Sequence, residues 1–256
     1  MTRPVALVTG ASSGLGECFA RQLAASGHDL VLVARRVEQL KRLAGELSAA
    51  HGGSAEVLPA DLGDKAQLQQ VADRIAAGVD AVINNAGFGF YGPVVDHDAR
   101  QEWGMVEVDV LAVAALTHAA LQVMVPRRSG RILNVSSVAG FASTPNSATY
   151  SAAKGFVLMY SEAVHDEVVG HGVYVTVLCP GFTRTEFQTT AGVEAKGLPS
   201  FAWADADDVV REGLAALERN QAVCVPGLVN KMAAVSPRFA PRAIVRRISA
   251  QVMKRL

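Results

Sequence analysis

The 256-residue chain predicts a single α/β domain built on a doubly wound parallel sheet. Three observations carry that expectation. Short apolar, β-branched runs alternate with longer segments of helical period from Val5 onward. The first run leads straight into the turn Thr9-Gly-Ala-Ser-Ser-Gly-Leu-Gly16, which opens a helix. No repeat, low-complexity segment or Pro/Gly/Ser linker divides the chain.

Composition narrows the function classes. The chain is 50% hydrophobic and 19% charged, enough for a sizeable core. Its net charge of zero gives no general pull toward nucleic acid. Cys18, Cys179 and Cys224 are too few and too scattered for a disulfide framework or a zinc site, which predicts a reduced, cytoplasmic setting. Cys18 and Cys179 read as small core residues. The histidines share no metal-ligand spacing, so no metal is expected. No signal peptide precedes the first strand, and no apolar run reaches membrane-spanning length.

Val5 to Val8 is the first strand. Glycines 10, 14 and 16 let the backbone turn tightly and approach a pyrophosphate, and the following helix, to about Ala25, offers it free N–H groups. Leu30 to Val33 is the second strand and ends in Ala34-Arg35-Arg36. In a nucleotide-binding βαβ unit this point meets the adenosine ribose, where an acidic residue would hold the 2′-hydroxyl. Two arginines suit a phosphate fork, which favours NADP over NAD; otherwise they are solvated residues of a surface turn. A helix over about Val37 to Ala50 leads to a third strand, Ala55 to Pro59. Asp61 after it reads either as an acceptor for the adenine amino group or as a cap for the helix from Lys65 to Ala77, beside Asp64. Asp80 to Ile83 is the fourth strand and runs into Asn84-Asn85-Ala86-Gly87, small and amide residues that suit a flat cofactor or a tight turn.

Phe88 to Pro93 is aromatic and glycine-rich, a candidate wall of a substrate pocket. One long helix is predicted over about Asp98 to Met124; its middle is nearly all apolar, so Asp109 is either paired or functional. Arg131 to Val135 is the fifth strand, with Ser136 and Ser137 at its end. A helix from Tyr150 to about Val169 puts Tyr150 and Lys154 on one face, one turn apart. The ammonium lowers the phenol's pKa, the phenol can pass a proton to or from an alcohol or carbonyl oxygen, and the serine hydroxyl can hold that oxygen. The plain alternative is a helix-start tyrosine and a solvated lysine. Val173 to Cys179 is the sixth strand, and the irregular stretch from Glu186 to Trp203 follows it as a candidate lid. A helix from Asp205 to Asn220 and a short strand from Ala222 to Val225 complete the sheet.

These segments resemble the short-chain dehydrogenase/reductase family, closely from about Pro4 to Thr185 and with less motif support to Pro226. The residues that carry the resemblance are Thr9-Gly10-x-x-x-Gly14-x-Gly16, Asp61, Asn84-Asn85-Ala86-Gly87, Ser137, Tyr150-x-x-x-Lys154 and Pro180-Gly181. It implies a Rossmann-type, doubly wound sheet of seven parallel strands with helices on both faces. It also implies an NADP-dependent oxidoreductase acting on a carbonyl or alcohol, and a homo-oligomer. Tyr150 is then the acid/base; Ser137 orients the substrate oxygen; Lys154 lowers the tyrosine pKa and holds the nicotinamide ribose. Cofactor contacts are expected from Gly10, Ser12, Ser13, Gly14, Leu15, Gly16, Arg35, Arg36, Asp61, Leu62, Asn85, Ala86, Gly87, Tyr150 and Lys154. Pro180, Gly181 and Thr183 flank the nicotinamide carboxamide. One position departs: the family usually has asparagine where this chain has Asp109, and its main-chain carbonyl holds a water of the proton relay. Asp109 is therefore kept with the catalytic set. Phe88, Phe90, Tyr91, Phe141, Phe182, Phe187 and Trp203 suit an apolar substrate, although core packing accounts equally well for several.

The domain is drawn over residues 1–236 and a basic amphipathic helix over 237–256. That tail has six basic residues and no acidic one. Ile244, Ile248, Val252 and Leu256 recur every four residues, so the helix either lies on an anionic membrane surface or packs on the domain or a partner subunit.

Overall fold

In a computed structural model that describes residues 3–187, 203–239 and 241–253, the alternating runs become seven strands. These are β1 (Val5–Thr9), β2 (Asp29–Ala34), β3 (Ala55–Pro59), β4 (Ala81–Asn84), β5 (Gly130–Val135), β6 (Val173–Leu178) and β7 (Val223–Cys224). All pair in parallel, in the order β3-β2-β1-β4-β5-β6-β7. The chain winds outward from β1 to β3, returns to place β4 against the other side of β1, and winds outward again. That reversal opens a crevice at the carboxyl ends of β1 and β4, the place where such sheets bind ligands.

Strand periodicity sorts the core into two layers. Ala6, Val8, Leu30, Leu32, Leu133 and Val135 join one layer with Phe19 and Leu23 of α1 (Gly14–Ala25), Leu40, Leu43 and Leu47 of α2 (Val37–His51), and Val209, Val210 and Leu217 of α7 (Ala206–Glu218). Leu7, Val31, Val33 and Ile132 point the other way. They meet Val71 and Ile75 of α3 (Lys65–Ala76), Leu116, Ala120 and Met124 of α5 (Val113–Met124), and Val164 and Val168 of α6 (Ala148–Val168). Each buried Val, Leu, Ile, Phe or Met side chain among these contributes about 1.5–3 kcal/mol over its exposed state, so slipping a strand by one residue would invert both layers.

The long helix is not the single α-helix expected. α4 (Ala99–Val106) passes into a π-helical turn, Glu107–Ala112, before α5 begins. Ala99–Met124 spans 26 residues and contains an 18-residue window with a mean hydropathy of 1.5, the length and composition of a membrane span, contrary to the expectation that no run would reach them. Here Leu116, Thr117, Ala120 and Met124 are buried on the sheet, so this is a core helix of the domain. Beneath the crevice a buried amide network ties the layers together. Asn84 Nδ2 donates to Asn134 Oδ1 at 2.9 Å and to Thr117 Oγ1 at 3.1 Å, and Asn134 Nδ2 donates to Ser161 Oγ at 3.0 Å.

Two C-terminal findings depart from the sequence reading. Leu228–Val235 is a helix, α8, that lies within the stretch assigned no element. Among the described residues the tail helix, α9, covers Arg242–Met253 and so begins later than residue 237; a 3-10 turn, Ser236–Arg238, and Pro241 precede it, and a proline suits the position just before a helix.

Candidate active site

β1 delivers the glycine turn to the crevice. Gly10 and Gly14 have φ of +67° and +55°, the left-handed region that only glycine enters without strain. At Gly16 the constraint is closeness: an added Cβ would lie 2.1 Å from the Gly10 carbonyl oxygen. Ser13 precedes α1 in extended conformation and makes no capping bond with its side chain, so the helix's first N–H groups are left for an anion. Thr9, which the sequence reading assigned no role, clamps the neighbouring loop. Its Oγ1 accepts from the N–H groups of Asn85 and Ala86 at 2.9 and 3.0 Å, and Asn85 Nδ2 donates to the Thr9 carbonyl at 2.9 Å. Thr9 and the Asn85-Ala86-Gly87 loop thus sit side by side at the switch point.

The adenosine end is set by β2 and β3. Arg36 is bound onto the glycine turn: Nε donates to Ser12 Oγ and Nη2 to the Ser12 carbonyl, both at 3.1 Å, while Nη1 pairs with Glu186 Oε2 at 3.1 Å. Arg35 extends into solvent, with Nη1 3.9 Å from Asp61 Oδ2. The capping alternative for Asp61 falls away, because Asp64 caps α3 by accepting from Gln67 N at 2.9 Å. Asp61 instead accepts from Gly63 N at 3.0 Å and so shapes the turn beside buried Leu62. Glycines that an added Cβ would obstruct and an uncapped helix start together fit the pyrophosphate of a dinucleotide.

At the other end, β5 presents Ser137 and α6 presents Tyr150 and Lys154. Ser137 Oγ accepts from Ala139 N at 3.1 Å and donates to the Pro180 carbonyl at 3.5 Å, and its side chain pulls the Tyr150 phenol down. Lys154 is buried, with Nζ 5.7 Å from the centre of the Tyr150 ring; it donates to the Val135 carbonyl at 3.2 Å and pairs with Asp109 Oδ2 at 3.3 Å. Asp109 is fully buried within the π turn, a local irregularity that recurs at functional sites, and its Oδ1 accepts from Phe88 N at 3.1 Å. A Cβ on Gly87 would stand 2.7 Å from Asp109 Oδ1 and 3.0 Å from Lys154 Nζ, so glycine there lets the loop cross the ion pair.

The electrostatics refine one expectation. Burial pushes the Tyr150 phenol up, the Lys154 charge pulls it down, and the Asp109 charge pushes it up again, with the net direction upward. The lysine therefore counteracts the tyrosine's burial without reversing it. Burial alone would push Lys154 down, but Asp109 and Tyr150 outweigh it and hold the ammonium above its ordinary value. For Asp109, burial pushes the carboxyl up more than Lys154 and the Phe88 N–H pull it down.

The segment after β6 covers both ends. The Pro180 carbonyl accepts from Val138 N at 3.0 Å, buried Thr183 donates to the Gly181 carbonyl at 3.1 Å, and Gly181 packs beneath Asn230 of α8. Thr185 lies over Gly14, where an added Cβ would be 3.2 Å from the threonine Cβ. The Phe187 ring rests on Tyr150 with centroids 5.7 Å apart, and Gly89 packs against the tyrosine ring as well. Phe88 and Phe90 meet edge to face, as a pocket wall would. Most of the candidate lid, residues 188–202, lies outside the described residues.

Fold and crevice together form a dinucleotide-binding site of the Rossmann type. Comparison with known proteins makes the class specific. The model of the short chain dehydrogenase family matches residues 4–195, and the chain belongs to that family. It is 36% identical over 185 residues to the ketoacyl reductase HetN of Nostoc sp.; the match covers 71% of this chain and 64% of that protein, so the chain spans less than two thirds of this relative. Among solved structures, a short-chain dehydrogenase from Sphingobium yanoikuyae in complex with NADPH is 35% identical with a TM-score of 0.85, covering 92% of this chain and 91% of the other. A member from Burkholderia phymatum in complex with NAD is 26% identical with a TM-score of 0.79, covering 91% of each chain.

Proposed function

We propose that the protein is an NADP(H)-dependent oxidoreductase that interconverts a carbonyl and a secondary alcohol, with Tyr150 as the acid/base. The observation that carries this reading is the buried Lys154 ammonium 5.7 Å from the centre of the Tyr150 ring, held above its ordinary pKa by its ion pair with Asp109. When bound, the nicotinamide supplies or accepts the hydride. The chain supplies the rest. Ser137 holds the substrate oxygen beside the phenol. In reduction the Tyr150 hydroxyl gives its proton to that oxygen as negative charge develops there; in oxidation the phenolate takes it back. Lys154, fixed as an ammonium by Asp109, stabilises the phenolate. Phe88, Phe90 and Phe187 give the pocket an apolar wall, which suits an apolar ketone or alcohol, and the cytoplasmic setting expected from the cysteines belongs to the same reading. The test is turnover of a panel of aldehydes, ketones and alcohols with NADPH or NADP. Cofactor binding with no turnover across the panel would favour a non-catalytic nucleotide-binding protein instead.

NADP is preferred over NAD on the strength of Arg35 and Arg36. Charge-assisted bonds to a phosphate are worth about 1.5–3 kcal/mol. Replacing both arginines by neutral residues is therefore expected to weaken NADPH binding at least about tenfold and to leave NADH binding nearly unchanged. Most of the loss should come from Arg36, which is already oriented by Ser12. Equal losses for the two cofactors would refute the assignment.

Exposure at the C-terminus favours a second element of the reading, peripheral contact with an anionic membrane. Ile244 and Ile248 of α9 are 47% and 56% exposed rather than packed on the domain. Leu228, Met232 and Val235 of α8 and Phe239 are exposed as well. A second copy docking the same face on itself would oppose two sets of unbalanced basic residues, whereas anionic lipid complements them. Co-sedimentation with phosphatidylserine-containing vesicles at low salt should retain the intact protein and lose a variant truncated after residue 236. Equal sedimentation would end the idea, and loss of an oligomer by light scattering on truncation would assign the face to a second copy.

A further inference from the structure

Arg36 already holds an anion. Its three guanidinium nitrogens are all engaged, two on Ser12 and one on the carboxylate of Glu186, which lies 150 residues further along the chain. The Ser12 contacts belong to the glycine turn and can stay in place when a ligand arrives. The Glu186 contact comes from another element and carries the same sign as a phosphate. We infer that Glu186 is a cofactor-selectivity residue, an internal anion on Arg36 that the 2′-phosphate of NADP displaces and that NAD, with a neutral hydroxyl there, leaves in place. The inference rests on the reading that Arg36 receives the 2′-phosphate.

Neighbouring contacts extend the consequence beyond affinity. Thr185 lies on Gly14 of the cradle and Phe187 on the Tyr150 ring, so Glu186 is the middle residue of a stretch that touches cradle, arginine and tyrosine in succession. The carboxylate and guanidinium are 66% and 42% exposed, so water screens the pair and the competition it sets up is modest.

The experiment is a double-mutant cycle read by equilibrium titration of NADPH and NADH on the full chain, using wild type, Glu186→Gln, Arg36→Ala and the double variant. Glu186→Gln should tighten NADPH binding about two- to fivefold, the scale of an exposed ion pair, with NADH unchanged. The gain should vanish in the Arg36→Ala background. Unchanged or weaker NADPH binding in Glu186→Gln would overturn the inference, weaker binding meaning that Glu186 clasps the bound cofactor. A gain that survives without Arg36 would overturn it too, since it would report only the loss of a nearby negative charge. If Arg36→Ala leaves NADPH binding intact, the phosphate reading itself fails and takes this inference with it. A normal loss in Arg36→Ala with no gain in Glu186→Gln sinks this inference alone.

Discussion

Tyr150→Phe is expected to lower kcat by about a hundredfold or more, the usual scale for losing a general acid/base. The substitution removes one oxygen and little else. The ring keeps its contacts with Gly89 and Phe187, and Ser137 still accepts from Ala139 N. NADPH binding should therefore change little, so the loss would fall on turnover. Steady-state kinetics with one accepted substrate, alongside cofactor titration, separates the two. A variant with near-normal kcat would remove Tyr150 from the chemistry.

Breaking the Lys154–Asp109 pair is expected to have the next largest effect, and its two halves fail differently. Lys154→Met strands a carboxyl group that is fully buried. Removing one partner of a buried pair destabilises by about 3–5 kcal/mol, measurable by urea unfolding near neutral pH. Without the lysine, burial raises the folded-state pKa of Asp109 further above its unfolded value. Stability is then intact below the unfolded carboxyl pKa and is lost as pH rises through the folded one, so the deficit should shrink in acid. Asp109→Asn keeps the shape and the main-chain carbonyl, and activity should persist. It removes a charge that raises both Tyr150 and Lys154, so the kcat–pH profile should move to lower pH. Superimposable profiles would make Asp109 a structural group only.

The sequence disclosed what depends on neighbours along the chain. Strand and helix periods placed β1 to β6 within a residue or two, and the glycine spacing marked the turn where positive φ and close approach demand it. Tyr150 and Lys154 could be joined because a helix fixes residues four apart. What lies beyond neighbours along the chain is decided by strand order. Asp109, tied to the proton relay in the sequence only by family resemblance, meets Lys154 across 45 residues, and Glu186, given no role there, meets Arg36 across 150, contacts that exist only once the strands from β2 to β6 lie side by side. Asp61 and Asp64 were equally good caps by residue type, and only backbone geometry chose Asp64. Leu228–Val235 is too short for its period to stand out, and its role in covering Gly181 through Asn230 leaves no local mark.

The π turn has a consequence for reading this chain against any other. Each residue of an α-helix advances the side-chain direction by about 100°, and a wide turn absorbs about one residue without advancing the helix axis in step. Ala99–Val106 and Val113–Met124 are therefore two screws cut to the same pitch but started at different points. A helical wheel drawn through both misaligns one of them, and the join between the two threads is where the chain places its buried carboxylate.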